Sequence, residues 1–494
     1  MPGVKRDEST PDVESSESAA DALLAPDSES LRAAQSLGGE LRLQSRLAAP
    51  LVLASLGTMA MGTVDTLMVG RLPGDREAEI GLAAVTSGNV VFMAAAMFAT
   101  GTLTAIDGLL SQAIGASDGR GAAQAFQRGL VLSVIFALLL LPPLGFVAPI
   151  LRMLDQPAET IEPATGYVFA LLAGLPAFLV FVVLRQSLQA LQRPRAILTV
   201  VLVTNLLNFG LDYLLIFGKG GLPAMGIVGS GWASSVCRWV MALGLLWLGR
   251  DALRPLWSTR VPGLLQLRAY LGMLRVGAPV GVQNVLEFMA FGGVSMLMGW
   301  ISPKAQAGHA VAINLAALSF MVPLGVSSVA AVRVGRAVGR GDGPGARRAA
   351  RASIGLGAGF MGLTALLFIA LPGTLAGLYT DNPELIAAAA LLLPVAGAFQ
   401  VFDGLQVVCL GLLRGAGDTV VPMGINLLGY WVLGFPAGYL LAFELGVGPR
   451  GLWWGLVIGL ASVAVVLALR TRQQLAQQVE RVDLGFEVRS PESS

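Results

Sequence analysis

Apolar stretches of about 20 residues, each enough to cross roughly 30 Å of hydrocarbon, recur along nearly the whole of this 494-residue chain. They predict twelve helices, at 47–70, 82–106, 127–149, 164–184, 196–217, 227–249, 277–300, 309–332, 352–371, 385–411, 419–443 and 451–470. The residues are 55% hydrophobic and only 13% charged, with a mean hydropathy of +0.71. A soluble domain carries about a quarter charged residues. The chain therefore reads as an all-α integral membrane protein.

Charge placement sets the expected orientation. With an even number of spans both ends share a side, and 26 of the 33 Lys and Arg then fall in the tails and in the loops on that side. The excess of basic residues predicts cytoplasmic termini and a multi-pass location in the plasma (inner) membrane. The net charge of +2 reflects insertion and gives no support to a nucleic-acid partner. Residues 1–41, rich in Ser, Asp and Glu at their start, are expected as a disordered cytoplasmic tail. Residues 471–494 read as a polar cytoplasmic tail, helical as far as Val482. Cys237 and Cys409 are isolated within predicted helices, where packing is the simplest role.

The chain is internally duplicated. "AIGASDGRGA" at 113–122 returns as "AVGRGDGPGA" at 337–346, identical at six of ten positions and displaced by 224. "LQRPRAILTVVLVTNLL" at 191–207 answers "LLRGAGDTVVPMGINLL" at 412–428, and Asn89 aligns with Asn314 at nearly the same offset. Two six-helix bundles follow, at 42–249 and 268–470, joined by a basic cytoplasmic linker at 250–267. An even number of helices per repeat gives both halves one orientation, related by an axis along the membrane normal, with a central cavity between them. Pro50, Pro176, Pro279, Pro323, Pro394 and Pro436 are expected bending points.

Within so apolar a chain the few carboxylates stand out. Asp65, Asp212, Glu287 and Asp403 fall well inside predicted spans, and Asp107 lies at the inner end of the second. Arg185 and Arg238 are read near cytoplasmic helix ends, which leaves the acids without obvious permanent partners. Carboxylates at such depth cost several kcal/mol (roughly 2.5 to 3.5 on insertion scales) and are functional candidates by default. In the first half "NLLNFGLD" sets Asn205, Asn208 and Asp212 on one helix face, where Asp65 and Ser234 can join them. Two carboxylates with amide and hydroxyl oxygens suit Na⁺, although the same groups can serve as an interhelical hydrogen-bond network. In the second half Glu287 has Gln283 and Phe291 one turn to either side, and Asp403 has Phe399 one turn before it. Acids beside aromatic rings suit a flat organic cation or a metal ion. The positions aligned with Glu287 and Asp403 in the first repeat hold Thr58 and Val182, so the duplicated scaffold did not dictate these two acids.

"TVDTLMVGRL", "SQAIGASDG", "GHAVAINLAALSFMVPLGVSSVAAVRVGRAVGRGD" and "FDGLQVVCLGLLRGAGDT" resemble the MATE family, the multidrug and toxic compound extrusion transporters, from about residue 40 to 470. The resemblance implies a secondary antiporter that exports small amphipathic organic cations against inward Na⁺ or H⁺, with no other cofactor. Glu287 and Asp403 match the acids of the NorM branch, which implies cation coupling and substrate binding at those two residues, with Gln283, Phe291 and Phe399 placed beside them by helical spacing. Asn208 and Asp212 match the DinF branch, whose helix 5 residues act with the Asp of helix 1; this implies cation coupling at Asp65, Asn208 and Asp212, to which Ser234 is added for its hydroxyl alone, and makes Asp65, Asp212, Glu287 and Asp403 candidate ligands of Na⁺. The mixture of branches leaves Na⁺ and H⁺ both open.

Other features have plainer readings. His309, the single histidine, opens helix 8, where a helix-end or packing role stands beside proton coupling. Trp300, Trp453 and Trp454 near helix ends predict an interfacial belt. The Gly- and Asp-containing loops lack a Walker lysine, and no nucleophile and base pair is recognisable, so neither ATP hydrolysis nor another enzymatic role is expected. A flippase of lipid-linked precursors would share the architecture but would want basic residues in the cavity. A monomer in the bilayer is the expected state.

Overall fold

The computed structural model describes residues 35–477 and 480–482. Most of the expected disordered tail at 1–41 lies outside these residues, as do parts of the C-terminal tail. The twelve expected spans are all present, eleven as helices of sufficient length and one as a bent pair. In chain order they are α1 (Leu37–Val69), α2 (Asp75–Gly115), α3 (Gly119–Gly145), α4 (Ala158–Leu172 and Leu175–Ala190), α5 (Pro194–Phe217), α6 (Gly226–Leu248), α7 (Leu267–Ile301), α8 (Pro303–Gly339), α9 (Gly343–Ala370), α10 (Pro383–Gly415), α11 (Val420–Glu444) and α12 (Pro449–Ala476). No strand occurs among the described residues.

Helix ends follow local chemistry. Ser36 caps α1 by accepting the Gly39 N–H, which starts that helix ten residues before its apolar run. Asp118 and Asp342, the aspartates of the duplicated motif, cap α3 and α9 by accepting the N–H of Gly121 and Gly345. The bend of 50° in α4 falls at the break before Pro176, which lacks the N–H that would continue the ladder. Helices α1, α7, α8 and α10 run through Pro50, Pro279, Pro323 and Pro394 without a break. Helix α11 instead widens into π turns at Leu428–Gly434 and Leu440–Glu444, on either side of Pro436. The end of α12 corrects the sequence reading: the helix stops at Ala476, and Val482 instead gives its backbone N–H to Gln112 Oε1 at 2.9 Å.

The two halves meet on the face that carries the start of α1 and the end of α12, here called the terminal face. Their contact is built from the duplicated motif itself. A Cβ at Gly115 would penetrate the backbone of Arg336, and one at Gly339 would penetrate the backbone of Gln112. Gln112 and Arg336 are equivalent residues of the two repeats, so the ends of α2 and α8 cross in a reciprocal, nearly symmetric contact. Gln112 also gives its amide N–H to the Gly415 carbonyl, and Arg336 gives a guanidinium N–H to the Ala190 carbonyl, each contact the counterpart of the other. Around this crossing Arg333 grips Glu40 with two hydrogen bonds of 2.8 and 2.7 Å. Gln44 bonds to Ala349 and Ser353, and Arg414 grips Asp107 with two bonds of 3.1 Å. Further toward the far face Gly101 of α2 lies against Gly281 of α7. The seam is thus shut at the terminal face.

Gly339→Val is expected to hold that face open, because the added side chain meets backbone, which cannot retreat as a flexible side chain can. A thiol introduced at Ser111, buried beside Gly335, should react with a membrane-impermeant maleimide at least ten times faster in the Gly339→Val variant. An unchanged rate would show that the crossing accommodates the valine.

Candidate functional site

On α5 the usual amphipathic pattern is inverted. Thr204, Asn208 and Asp212, spaced four apart, are wholly buried, while Leu206, Phe209 and Tyr213 are exposed. Apolar side chains face the lipid and a polar stripe faces the bundle. Asn205 turns away from this stripe and gives its amide N–H to Val201 of its own helix.

The polar stripe meets α1 and α6 at Asp65, which is 5% exposed. Asn208 Nδ2 donates to Asp65 Oδ1 at 3.0 Å, and Ser234 Oγ donates to Asp65 Oδ2 at 2.8 Å. Each oxygen of Asp65 therefore receives a donor from a different helix. Asp212 lies within electrostatic reach of Asp65, but neither of its buried oxygens receives a hydrogen bond. Asn208 Oδ1 is likewise without a donor. Three buried acceptor oxygens thus lie beside the Asp65 carboxylate with no protein donor to satisfy them, an arrangement that favours a proton or a cation.

Arg238 corrects the sequence reading. It stands in the middle of α6 rather than near its end, is 8% exposed, and lies within electrostatic reach of Asp65 and Tyr167. Arg185 is also engaged, donating to Ser55 at 3.2 Å. Asp107, read as a possible unpartnered acid, is wholly buried and bonded to Arg414, so it belongs to the seam.

The second cluster lies in the other half. Asp403 on α10 is buried, Glu287 on α7 is half-buried, and the two are within electrostatic reach of each other and of Tyr430 on α11. Gln283 is buried one turn before Glu287. Phe291 and Phe399 meet edge to face at 6.0 Å, and Phe291 also meets Tyr430 at 6.3 Å. Tyr430 donates to Gln406 Oε1 at 2.9 Å, and Gln406 Nε2 donates to Asn426 Oδ1 at 3.2 Å. The π turn at Leu428–Gly434 places Tyr430 toward the acids and Trp431 against α7, where its indole N–H donates to Leu286 O at 3.3 Å. Tyr167, Gln406, Asn426, Tyr430 and Trp431 were not singled out in the sequence. Gln406, three residues after Asp403, offered a helical-face signal; Tyr430 and Trp431 sit in an apolar run that offered none.

His309 is buried with its ring 5.6 Å from that of Trp453. Trp453 corrects the interfacial-belt expectation: it is 0% exposed and packs on Phe399 at 5.6 Å. Trp300 and Trp454 remain exposed. Cys237 and Cys409 are free and buried. Among the described residues no group of three or more His, Cys, Asp and Glu is placed to hold a metal.

Neither cluster crosses between the halves: the first uses α1, α5 and α6, the second α7, α10 and α11. The MatE family model matches residues 50–214 and 279–440, one match per repeat. The chain belongs to the MatE family. It is 37% identical to the multidrug resistance protein NorM of Burkholderia vietnamiensis, over 86% of this chain and 92% of that protein. It is 35% identical to the multidrug resistance protein PmpM of Pseudomonas aeruginosa, over 90% and 94% respectively. Among solved structures this MatE chain matches the eukaryotic MATE transporter AtDTX14 with a TM-score of 0.81 at 21% identity, covering 90% of this chain and 100% of that one. An outward-facing MATE family transporter matches with a TM-score of 0.80 at 20% identity, over 92% and 98%. These likenesses establish the two-lobe fold.

If Asp107 is held as half of a seam ion pair, Arg414→Leu should destabilise this MatE protein by about 3–5 kcal/mol, because a buried charge is left alone. The Asp107→Leu/Arg414→Leu double variant should recover most of that loss. Thermal unfolding in detergent checks both, and a double variant worse than the single would refute the pairing.

Proposed function

We propose that this protein is a secondary active multidrug efflux antiporter, which exports amphipathic organic cations in exchange for Na⁺ or H⁺ by alternating access. The observation that carries the reading is the set of donor-less buried oxygens on Asp212 and Asn208 beside Asp65. Such a set is costly when empty and invites a cation, the property required of a coupling site. The names of its relatives, multidrug resistance proteins, support drug efflux, and the carboxylates beside aromatic rings in the second cluster support a cationic substrate. The positive-inside pattern supports cytoplasmic termini in the inner membrane, and a seam closed on the terminal face then means a binding cavity open to the outside. The protein acts as a monomer and a transporter rather than an enzyme. Acidic rather than basic charge in the second cluster disfavours the anionic headgroup of a lipid-linked precursor.

Residue roles follow from the two clusters. Asp65, Asn208, Asp212 and Ser234 hold the coupling cation in the first half. Glu287 and Asp403 receive either the coupling cation or the charge of the substrate, with Gln283, Phe291 and Phe399 shaping the pocket. Occupancy must differ between the outward- and inward-open states, since a cation with equal affinity for both shifts nothing.

Proteoliposomes should accordingly export ethidium when an opposing Na⁺ or H⁺ gradient is imposed without ATP. A requirement for ATP with indifference to both gradients would refute the antiporter reading. Asp65→Asn should leave a folded protein that still binds ethidium in detergent but loses gradient-driven export; export at the wild-type rate would remove the first cluster from the mechanism. Glu287→Gln and Asp403→Asn should each abolish most export, and their combination should be little worse, because groups acting as a unit are non-additive.

A further inference from the structure

The first cluster contains one fixed positive charge. Arg238 lies one helical turn beyond Ser234 on the same face of α6. Its guanidinium stands 4.5 Å from the centre of the Phe92 ring and 5.2 Å from that of Phe178. Its Nη1 donates to Leu171 O at 3.3 Å, in the last turn before the break of α4. Gly174, within that break, makes room for it: a Cβ there would lie 3.0 Å from Arg238 Cδ. A guanidinium has five N–H donors and keeps its proton in proteins. Two ring faces and one long hydrogen bond are modest compensation for burying it. The charged and titratable groups facing it are Asp65, Tyr167 and Cys237, and Asp212 in turn faces Asp65.

The charges can be counted. Asp65 and Asp212 contribute two negative charges when ionised, and Arg238 contributes one positive charge that the protein cannot release. The remainder is one negative charge, and three oxygens await a donor or cation. A single monovalent cation balances the site, and a second would leave it with excess positive charge in a region of low dielectric. We infer that Arg238 is a built-in counter-cation of the first-lobe site, which limits Asp65 and Asp212 together to one coupling ion per cycle. The inference rests on the coupling role proposed for that cluster. It assigns Arg238 as a specificity-determining residue that acts through the carboxylates rather than by touching the transported compound.

The test is a zero-flux measurement in proteoliposomes. Tetraphenylphosphonium serves as a probe of fixed charge, and its gradient is balanced against imposed Na⁺ or H⁺ gradients to give the number of coupling ions per probe molecule. Arg238→Gln is expected to raise that number by one, and Arg238→Lys to leave it at the wild-type value. An unchanged number in Arg238→Gln overturns the inference. Asp65→Asn separates this failure from failure of the underlying reading. If Asp65→Asn changes the ion count or abolishes coupling while Arg238→Gln changes nothing, only the counter-cation role falls. If Asp65→Asn also transports as wild type, the coupling role of the cluster falls with it. Should Arg238→Gln fail to fold, Arg238→Gln/Asp212→Asn, which removes one charge of each sign, is expected to fold and to show the wild-type count. A double variant that still fails to fold would identify Arg238 as a staple between α6 and the Phe92 and Phe178 rings, and would overturn the inference.

Discussion

The structure depends on a place where two backbones touch. Gly115 rests on the backbone of Arg336, and Gly339 on that of Gln112. No side chain other than hydrogen permits this approach, which explains why both copies of the duplicated motif place glycine there. Close contact between helices is the main source of attraction in a bilayer, where lipid tails are as apolar as leucine and burial of apolar surface gives little. The backbone contact lets Gln112 and Arg336 reach carbonyls of α10 and α4, and it brings Glu40 to Arg333 and Asp107 to Arg414. These pairs would be strained or solvated without it. The seam is shut at the terminal face because the duplicated sequence packs on itself there.

The polar clusters follow a different economy. Seam carboxylates are matched with guanidinium groups in bidentate geometry, so they are fully compensated in the closed state and must be rehydrated when it opens. Asp65 accepts hydrogen bonds from neutral donors alone, Asn208 and Ser234, with Arg238 within electrostatic reach but not bonded to it, and Asp212 accepts none. The first arrangement stabilises one conformation. The second leaves a site whose stability depends on what occupies it. Both kinds of carboxylate look alike in the sequence, as isolated acids in apolar surroundings, and only the partner across the bundle separates them.

That distinction marks how far the sequence could be read. The twelve spans and the duplication were legible because they depend on local periodicity and on equivalence between repeats, whereas the meeting of Asp65 and Ser234 with Asn208 was suggested only by their chemistry and by the family resemblance. Arg238 was misplaced in depth and not in helix: the expected span 227–249 matches the observed Gly226–Leu248 to one residue and already centres on it. Trp453 was misread for a related reason: its nearness to a helix start suggested the interface, whereas it packs on Phe399 and His309 in the core. The π turns of α11 had no signature in the sequence beyond Pro436, yet they orient Tyr430 and Trp431 in opposite directions. Bent spans and widened turns arise from packing between helices, which a single periodicity does not encode.

Because each cluster is confined to one half, neither can open or close the seam by bridging it. Any influence must travel along helices that own a residue in both places. α1 carries Asp65 near one end and Glu40 and Gln44 at the other, 25 residues or about 38 Å apart at the rise of an α-helix. α10 carries Asp403 and, in its last turn, Arg414 and Gly415. α7 carries Glu287 and the glycines that meet α2. On the proposed coupling role, a cation that drew α5 and α6 onto Asp65 would change the angle of α1, and over that length a tilt of about 2° would displace Glu40 by about 1 Å, by simple lever geometry. A bidentate hydrogen-bonded pair does not tolerate such a shift. The unbroken passage of α1, α7 and α10 through Pro50, Pro279 and Pro394 bears on that proposal: a helix that bent freely at its proline would absorb such a movement locally, whereas a continuous one would deliver it to the seam.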